Sequence, residues 1–299
     1  MTPCLNGARY IGEAIDSVLA QGYSNAEHIV ADGGSTDGTL EILSRYSHLK
    51  VLSSADQGMY DALNRALAEA QGEIIGMLNS DDGYANDAFS SVVELFRDER
   101  VMAVAGAAVT FRDAVNDGDI SADKPMPAGA DVLFRSTLGD PSINAWFFRA
   151  SVFATVGRFD PSYRVAGDRE FMLRFSLSGL NYAQTPRVIC RYRMHPESMT
   201  FGRHETLWET VLGEHNKMTS LWLSRPGLPK RARELIKRAR SRDNLLAATR
   251  SVRRYEGRSL LRYAAAGMRH DPLWLARFAK RAVLLTVLKS RFFQPRERR

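Results

Sequence analysis

Short apolar runs that alternate with amphipathic stretches of helical length constrain this chain more than any other feature. In IGEAIDSVLA, Ile11, Ile15, Val18 and Leu19 share one helical stripe, and the run HIVAD that follows ends at Asp32. Glycines in GGSTDGT break the chain before LEILSRY resumes a helical period and KVLSS gives another brief strand. YDALNRALAEAQG then turns Ala62, Leu63, Ala66, Leu67 and Ala70 to one side and stops at Gly72. The next run, IIGMLNSDDGY, ends abruptly in Ser80, Asp81 and Asp82. This alternation is that of βαβ units, so residues 1 to about 110, through VMAVAGAAVTF, are predicted to form an α/β fold with a mostly parallel sheet flanked by helices. In open sheets of this kind ligands gather where the strands end, which places the terminal acids beside a binding site.

Past Asp113, acids, glycines and prolines dominate to about Asp131 and predict an excursion over the surface. Strands resume at AWFFR and RVICRYRM, with the helix REFMLRFSLSG between them. After Gly202 the pattern becomes helical and basic, which sets a domain boundary between a catalytic region at 1–202 and a helical region at 203–299. Residues 203–299 hold 24 Lys and Arg against 8 Asp and Glu, while the remainder holds 17 against 26. An acidic body with a basic appendage suits a partner that bears phosphate, such as an anionic lipid surface, although a solvated helical face gives the same counts. No run of eighteen apolar residues occurs and no secretory leader is evident, so a cytoplasmic location is expected. Cys4 and Cys190 stand far apart, outside any CxxC spacing, and offer neither a disulfide framework nor a thiolate metal site.

Four acidic positions follow elements of the predicted sheet: Asp32, Asp61, the pair Asp81 and Asp82, and Asp168 in VAGDREF. Carboxylates gathered at strand ends repel one another unless a cation or a donor-rich ligand offsets the charge, and all-oxygen ligands suit magnesium or manganese. Each acid also has a plainer explanation, Asp61 as a first-turn helix acid and Asp32 as a turn acid. The absence of GxxxxGK[ST], of GxGxxG after a strand, of HExxH and of GxSxG removes support for kinase, dinucleotide, zinc-protease and α/β-hydrolase chemistry. His195 in RMHPES stands alone, and a lone histidine is more often structural.

Taken together, TPCLNGARYIGEAIDSVLAQ, HIVADGGSTDGTLEIL, DQGMYDALNRALAEAQGEII, LNSDD and FDPSYRVAGDREFMLR resemble, in matching order over residues 2 to 200, the family-2 glycosyltransferases, and among them the enzymes of bacterial exopolysaccharide and colanic acid biosynthesis. The resemblance implies a GT-A fold and an inverting transfer from a nucleotide-diphosphate sugar, a UDP-sugar by preference. It implies nucleotide-sugar contacts at Thr2, Pro3, Asn6, Asp32, Gly34, Ser35, Asp56, Asp61, Asn64, Asn79, Ser80 and His195, with Asp32 at the nucleobase. It implies a divalent cation, Mn2+ or Mg2+, held by Asp81 with Asp82 as neighbour or alternate, and Asp168 as catalytic base. The acceptor it implies is a saccharide or a polyprenyl-diphosphate-linked sugar at the cytoplasmic face of the inner membrane. Three positions depart from the family pattern: Asn79 for the first acid of DxD, Gly33 for the second acid of DDGS, and Gly167 for the Glu of ED. The start MTPCLN looks like the end of a strand, so the first strand is expected to be missing.

Trp146 is a candidate to stack on a sugar, with core packing as the commoner fate of an aromatic in a buried strand. The segment PLWLARFAKRAVLLTVLKSRFF mixes Trp274, Phe278, Leu284 and Leu288 with Arg277, Lys280 and Arg281, and suits either the headgroup layer of an anionic membrane or packing on the catalytic body. Nucleic acid is not an expected partner. The competing readings are a truncated, non-catalytic nucleotide-sugar binder and a sugar nucleotidyltransferase, the second weakened by the lack of a glycine-rich basic loop near the start.

Overall fold

The computed structural model describes residues 1–112, 131–139, 142–198, 205–253, 257–268, 273–276 and 278–279. The chain runs β1 (Thr2–Cys4), α1 (Ile11–Leu19), β2 (His28–Asp32), α2 (Thr39–Leu43), β3 (Leu49–Ser53), α3 (Met59–Glu69), β4 (Ile74–Gly76), β5 (Gly83–Tyr84), α4 (Ala88–Leu95) and β6 (Ala103–Phe111). It continues through α5 (Val132–Thr137), β7 (Trp146–Arg149), α6 (Ala150–Thr155), α7 (Gly167–Leu177), β8 (Tyr182–Arg193), α8 (Glu205–Ser224), α9 (Lys230–Arg253) and α10 (Gly257–Met268). Two compact units result, Met1–Leu207 and Trp208–Arg299.

In the first unit β1, β2 and β3 are parallel neighbours, and a second ladder has the order β4-β7-β6-β8-β5. The Met1 amine donates to Gly76 O at 2.9 Å and Leu78 N–H to Met1 O at 3.0 Å, the slanted pattern of a parallel pair, so β1 is the seam that joins the two ladders. In β1 itself Thr2, Pro3 and Cys4 are all buried. The second ladder is mixed: β7 runs antiparallel to β4 and β6, while β6 and β8 are parallel. Between Gln184 and Cys190, β8 carries three residues more than the facing stretch Ala105–Ala108 of β6. Gly106 lies opposite this bulge, and a Cβ there would overlap Ile189.

All five residues of β2 are buried, because both of its faces are covered. Val30 packs with Ile11 and Ile15 of α1 and Leu43 of α2, while Ile29 and Ala31 meet Ala62 and Ala66 of α3 on the opposite face. Trp146 is 1% exposed and lies between Phe148, stacked at 5.9 Å, and the edges of Phe175 and Tyr182. It is a core residue and does not present a platform for a sugar.

His28 is buried beside Thr2, with Nε2 2.9 Å from Thr2 Oγ1, and its Nδ1 has no partner. Burial, helped by the positive N-terminus and His48, drives its pKa down to about 3. A depressed histidine contributes stability that is complete above its unfolded value near 6.5 and lost as pH falls toward 3. Denaturant titrations between these limits are expected to lose on the order of 1.4 kcal/mol per pH unit from this group, and His28→Gln to flatten that part of the profile.

In the second unit α9 packs on α10, and His215 of α8 lies 3.0 Å from the Asp243 carboxylate of α9. Trp274 is fully buried against Gly267 and stacks on Phe278 at 5.2 Å, so it faces the protein rather than a lipid surface. Leu261, Leu273 and Leu275 are exposed. Arg277, Lys280, Arg281, Leu284 and Leu288 lie outside the described residues, as does most of the predicted excursion at 113–131. Among the described residues no helix is long and apolar enough to cross a membrane.

Candidate active site

The apolar run that opens the site continues past β4 through Met77 and Leu78, each 1% exposed, and turns at Asn79. The two acids that follow have opposite fates. Asp82 is 2% exposed and accepts from the Arg193 N–H at 2.9 Å, from Asn144 Nδ2 at 2.8 Å and from Asn79 Nδ2 at 3.1 Å. Burial pushes its carboxyl up, to about 8, with the Asp81 charge adding to the effect and the three donors opposing it. Its oxygens are taken by the protein, which corrects the expectation of a second metal ligand. Asn79, in place of the first acid of DxD, is one of the donors. Asp81, by contrast, keeps 29% of its side chain exposed and meets His195 Nε2 at 2.9 Å.

Arg193 holds this corner together. Its Nε donates to the Asp81 carbonyl at 2.9 Å, its Nη2 to Glu13 at 2.5 Å, and its guanidinium stacks 4.6 Å from the centres of both Tyr10 and Phe111. In the sequence it stands as one residue of the strand run RVICRYRM. A charged residue closing an apolar strand two places before His195 was the available hint.

Asp81 and His195 open into a cleft of about 790 Å³ at the carboxyl ends of the parallel strands. Of the site residues that the resemblance implies, Pro3, Asn6, Asp56, Asn79, Ser80, Asp81, Asp168 and His195 line it. Arg9, Arg135 and Arg164 line it too and were missed, since isolated arginines in loops carry no pattern. Asp168 sits in the first turn of α7, where the helix dipole favours its anion. Its Oδ1 accepts the Arg169 N–H at 2.6 Å and lies 3.3 Å from the hydroxyl of Tyr60, which also bonds Val165 O at 2.8 Å. A Cβ on Gly167 would stand 2.7 Å from the Tyr60 ring, so the glycine in place of the family's Glu has a steric reason.

Six expected contacts turn away from the cleft. Thr2 bonds His28. Asp32 has no exposed surface and accepts from Gly34 N–H, Ser35 N–H, Ser35 Oγ and Ser53 Oγ. Burial works to raise its pKa, but these donors outweigh it and hold the carboxyl below its usual value. Gly34 and Ser35 thus shape a turn, with Ser35 Oγ also accepting the Asn6 N–H at 2.8 Å. Asp61 takes the Gln57 N–H at 3.2 Å at the start of α3. Asn64 clamps the Phe159 backbone, donating to its carbonyl at 2.8 Å and accepting its N–H at 3.1 Å.

Among the described residues no three His, Cys, Asp or Glu side chains gather as a metal cage. Asp81 nevertheless offers a cleft-facing carboxylate beside an imidazole, and His195 Nδ1 is buried without a partner. One carboxylate and one histidine fit Mg2+ or Mn2+ when phosphate oxygens and water supply the remaining ligands.

The family described as glycosyl transferase family 2 matches residues 1–154. The chain is 28% identical over 219 residues to the PGL/p-HBAD biosynthesis glycosyltransferase Rv2957 of Mycobacterium tuberculosis, covering 70% of this chain and 78% of that one. It is 25% identical over 224 residues to the putative glycosyltransferase EpsH of Bacillus subtilis, covering 69% and 63%. Among solved structures, S. aureus TarS 1-349 in complex with UDP-GlcNAc superposes with a TM-score of 0.66 at 15% identity over 90% of this chain and 80% of that one, a likeness of fold.

Proposed function

The chain belongs to glycosyl transferase family 2 and is a glycosyltransferase of GT-A fold, and from that premise we propose that it moves a sugar from a nucleoside-diphosphate donor, a UDP-sugar by preference, onto a saccharide or polyprenyl-diphosphate-linked acceptor in cell-surface polysaccharide biosynthesis, with inversion at the anomeric carbon. The observation that carries it is one cleft lined by the Asp81–His195 pair and by Asp168.

Breaking the bond to a diphosphate leaves negative charge on the leaving group, and the oxocarbenium-like state that precedes product is reached only if that charge is stabilised. Asp81 and His195 would hold a divalent cation that neutralises the diphosphate. Arg9, Arg135 and Arg164 add positive charge to the same walls. Asp168 accepts the proton of the incoming sugar hydroxyl as the new bond forms, and the backbone N–H of Arg169 fixes the carboxylate for that role. Attack opposite the leaving group turns an α-linked donor into a β-linked product.

Exposed Leu261, Leu273 and Leu275, in a region with threefold more basic than acidic residues, support peripheral contact with an anionic membrane at the cytoplasmic face, where a lipid-linked acceptor would be found.

Purified protein incubated with a panel of UDP-sugars, MnCl2 and saccharide acceptors tests the reading. UDP release that EDTA abolishes, with a β-linked product by proton NMR, is the expected result. Nucleotide-sugar binding with no turnover of any donor would instead mark a non-catalytic binder.

A further inference from the structure

Tyr60, in the first turn of α3, is 2% exposed and lines the cleft, and its contacts run to the segment that carries Asp168. Its hydroxyl donates to Val165 O, 105 residues away, at 2.8 Å and lies 3.3 Å from Asp168 Oδ1. Its ring fills the space that a side chain at 167 would need, where a Cβ would stand 2.7 Å from two ring carbons. One phenol from a distant element thus meets residues 165, 167 and 168, the turn that leads into α7. Asn64 grips the same segment further upstream, donating to the Phe159 carbonyl at 2.8 Å and accepting its N–H at 3.1 Å. Residues 60 and 64 are one helical turn apart and share a face of α3. The Phe159 ring stacks on Tyr60 at 5.7 Å and lies 4.8 Å from Phe171 of α7, so this face of α3 holds both ends of the stretch 159–168.

A carboxylate that takes a proton as a bond forms must stand within hydrogen-bond reach of the incoming hydroxyl, and a misplacement of about 1 Å costs on the order of 10²-fold in rate. Asp168 Oδ1 accepts the Arg169 N–H at 2.6 Å, but that amide belongs to the next residue and moves with the same turn. It orients the carboxylate within the turn and does not fix the turn against the rest of the cleft. Tyr60 does, because it comes from another element whose neighbouring residues Gly58 and Met59 line the same cleft. A phenol has a single proton to give, and the shorter contact directs it mainly to Val165 O. Its hold on the carboxylate is therefore a matter of placement more than of proton donation.

Resting on the glycosyl-transfer reading, we propose that Tyr60 is a positioning residue for Asp168: its ring and hydroxyl set where the proton-accepting carboxylate stands in the cleft, and it takes no part in holding the nucleotide. Gly167 belongs to the same device, since a larger side chain there would displace the ring. The role acts only through Asp168 and ends when residue 168 can no longer take a proton.

Tyr60→Phe keeps the ring, its stack on Phe159 and its fit against Gly167, and removes the hydroxyl alone. Steady-state UDP release and calorimetric titration of UDP with MnCl2 are measured on the native protein, Tyr60→Phe, Asp168→Asn and the double variant. Tyr60→Phe is expected to lower kcat roughly 10- to 100-fold while its affinity for UDP stays within about twofold of native. In the Asp168→Asn background the same change is expected to cost less than about twofold more, because the group it positions no longer acts. A merely structural tyrosine would multiply its cost in both backgrounds, and that result overturns the assignment. Turnover of Tyr60→Phe within about twofold of native, or a loss of UDP affinity that matches the loss of kcat, also overturns it and leaves the glycosyl-transfer reading standing. Absence of UDP release by the native protein with every UDP-sugar tried overturns both.

Discussion

Asp168→Asn is expected to lower turnover roughly 10²- to 10⁴-fold while the affinity for UDP with manganese stays within about twofold of the native value. The asparagine keeps the volume, and its carbonyl can still accept the Arg169 N–H that holds Asp168 Oδ1 at 2.6 Å. What it lacks is the ability to take a proton, so the loss falls on the chemical step. Isothermal titration of UDP and steady-state UDP release, measured side by side, separate the two effects. An equal loss of binding would mean that the residue positions the donor instead, and full turnover would remove it from the mechanism.

Asp82→Ala is expected to cost roughly 3–5 kcal/mol of stability, because it strands three donors at once: the Arg193 N–H, Asn144 Nδ2 and Asn79 Nδ2. At about 2–4 °C per kcal/mol for a unit of this size, thermal unfolding moves down by roughly 10 °C. Asp81→Ala removes a side chain with 29% exposure and is expected to leave the melting temperature nearly unchanged while abolishing manganese-dependent UDP binding. The contrast between neighbours is the discriminating measurement. Similar melting temperatures for the two variants would contradict the buried, protein-bound role of residue 82.

The strands and helices that build the cleft were legible because burial imposes periodicity: HIVAD has both faces covered and is apolar at Ile29, Val30 and Ala31, and the α1 stripe at Ile11 and Ile15 meets Val30. The position of Asp81 was legible for the same reason, since it follows β4, whereas Asp168 lies in the first turn of α7 and Asp56 entered through the family resemblance. The direction of each side chain was not. Asp32, Asp61 and Asn64 are near the cleft along the chain, yet backbone donors claim them, the neighbouring Gly34 and Gln57 N–H groups and, from 95 residues on, the Phe159 N–H. No spacing rule announces that competition, which depends on where turns leave unpaired amides. Arg193 escaped notice for the complementary reason: its partners Glu13, Asp81 and Asp82 come from two other parts of the chain. The explanations for Gly33 and Gly167 were likewise hidden, because what occupies the missing side-chain volume is Asp56 in one case and Tyr60 in the other.

The bulge in β8 makes chain length there a determinant of catalysis. Its three surplus residues lie between Gln184 and Cys190, and every position beyond them, including Arg193 opposite Phe111 and then His195, is counted from that point. Successive residues of a strand face opposite ways, so inserting or deleting a single codon within 185–189 would send Arg193 outward and break its hold on the acid corner. Homologous genes drifting in length should therefore show gaps in surface turns but a constant count across this stretch.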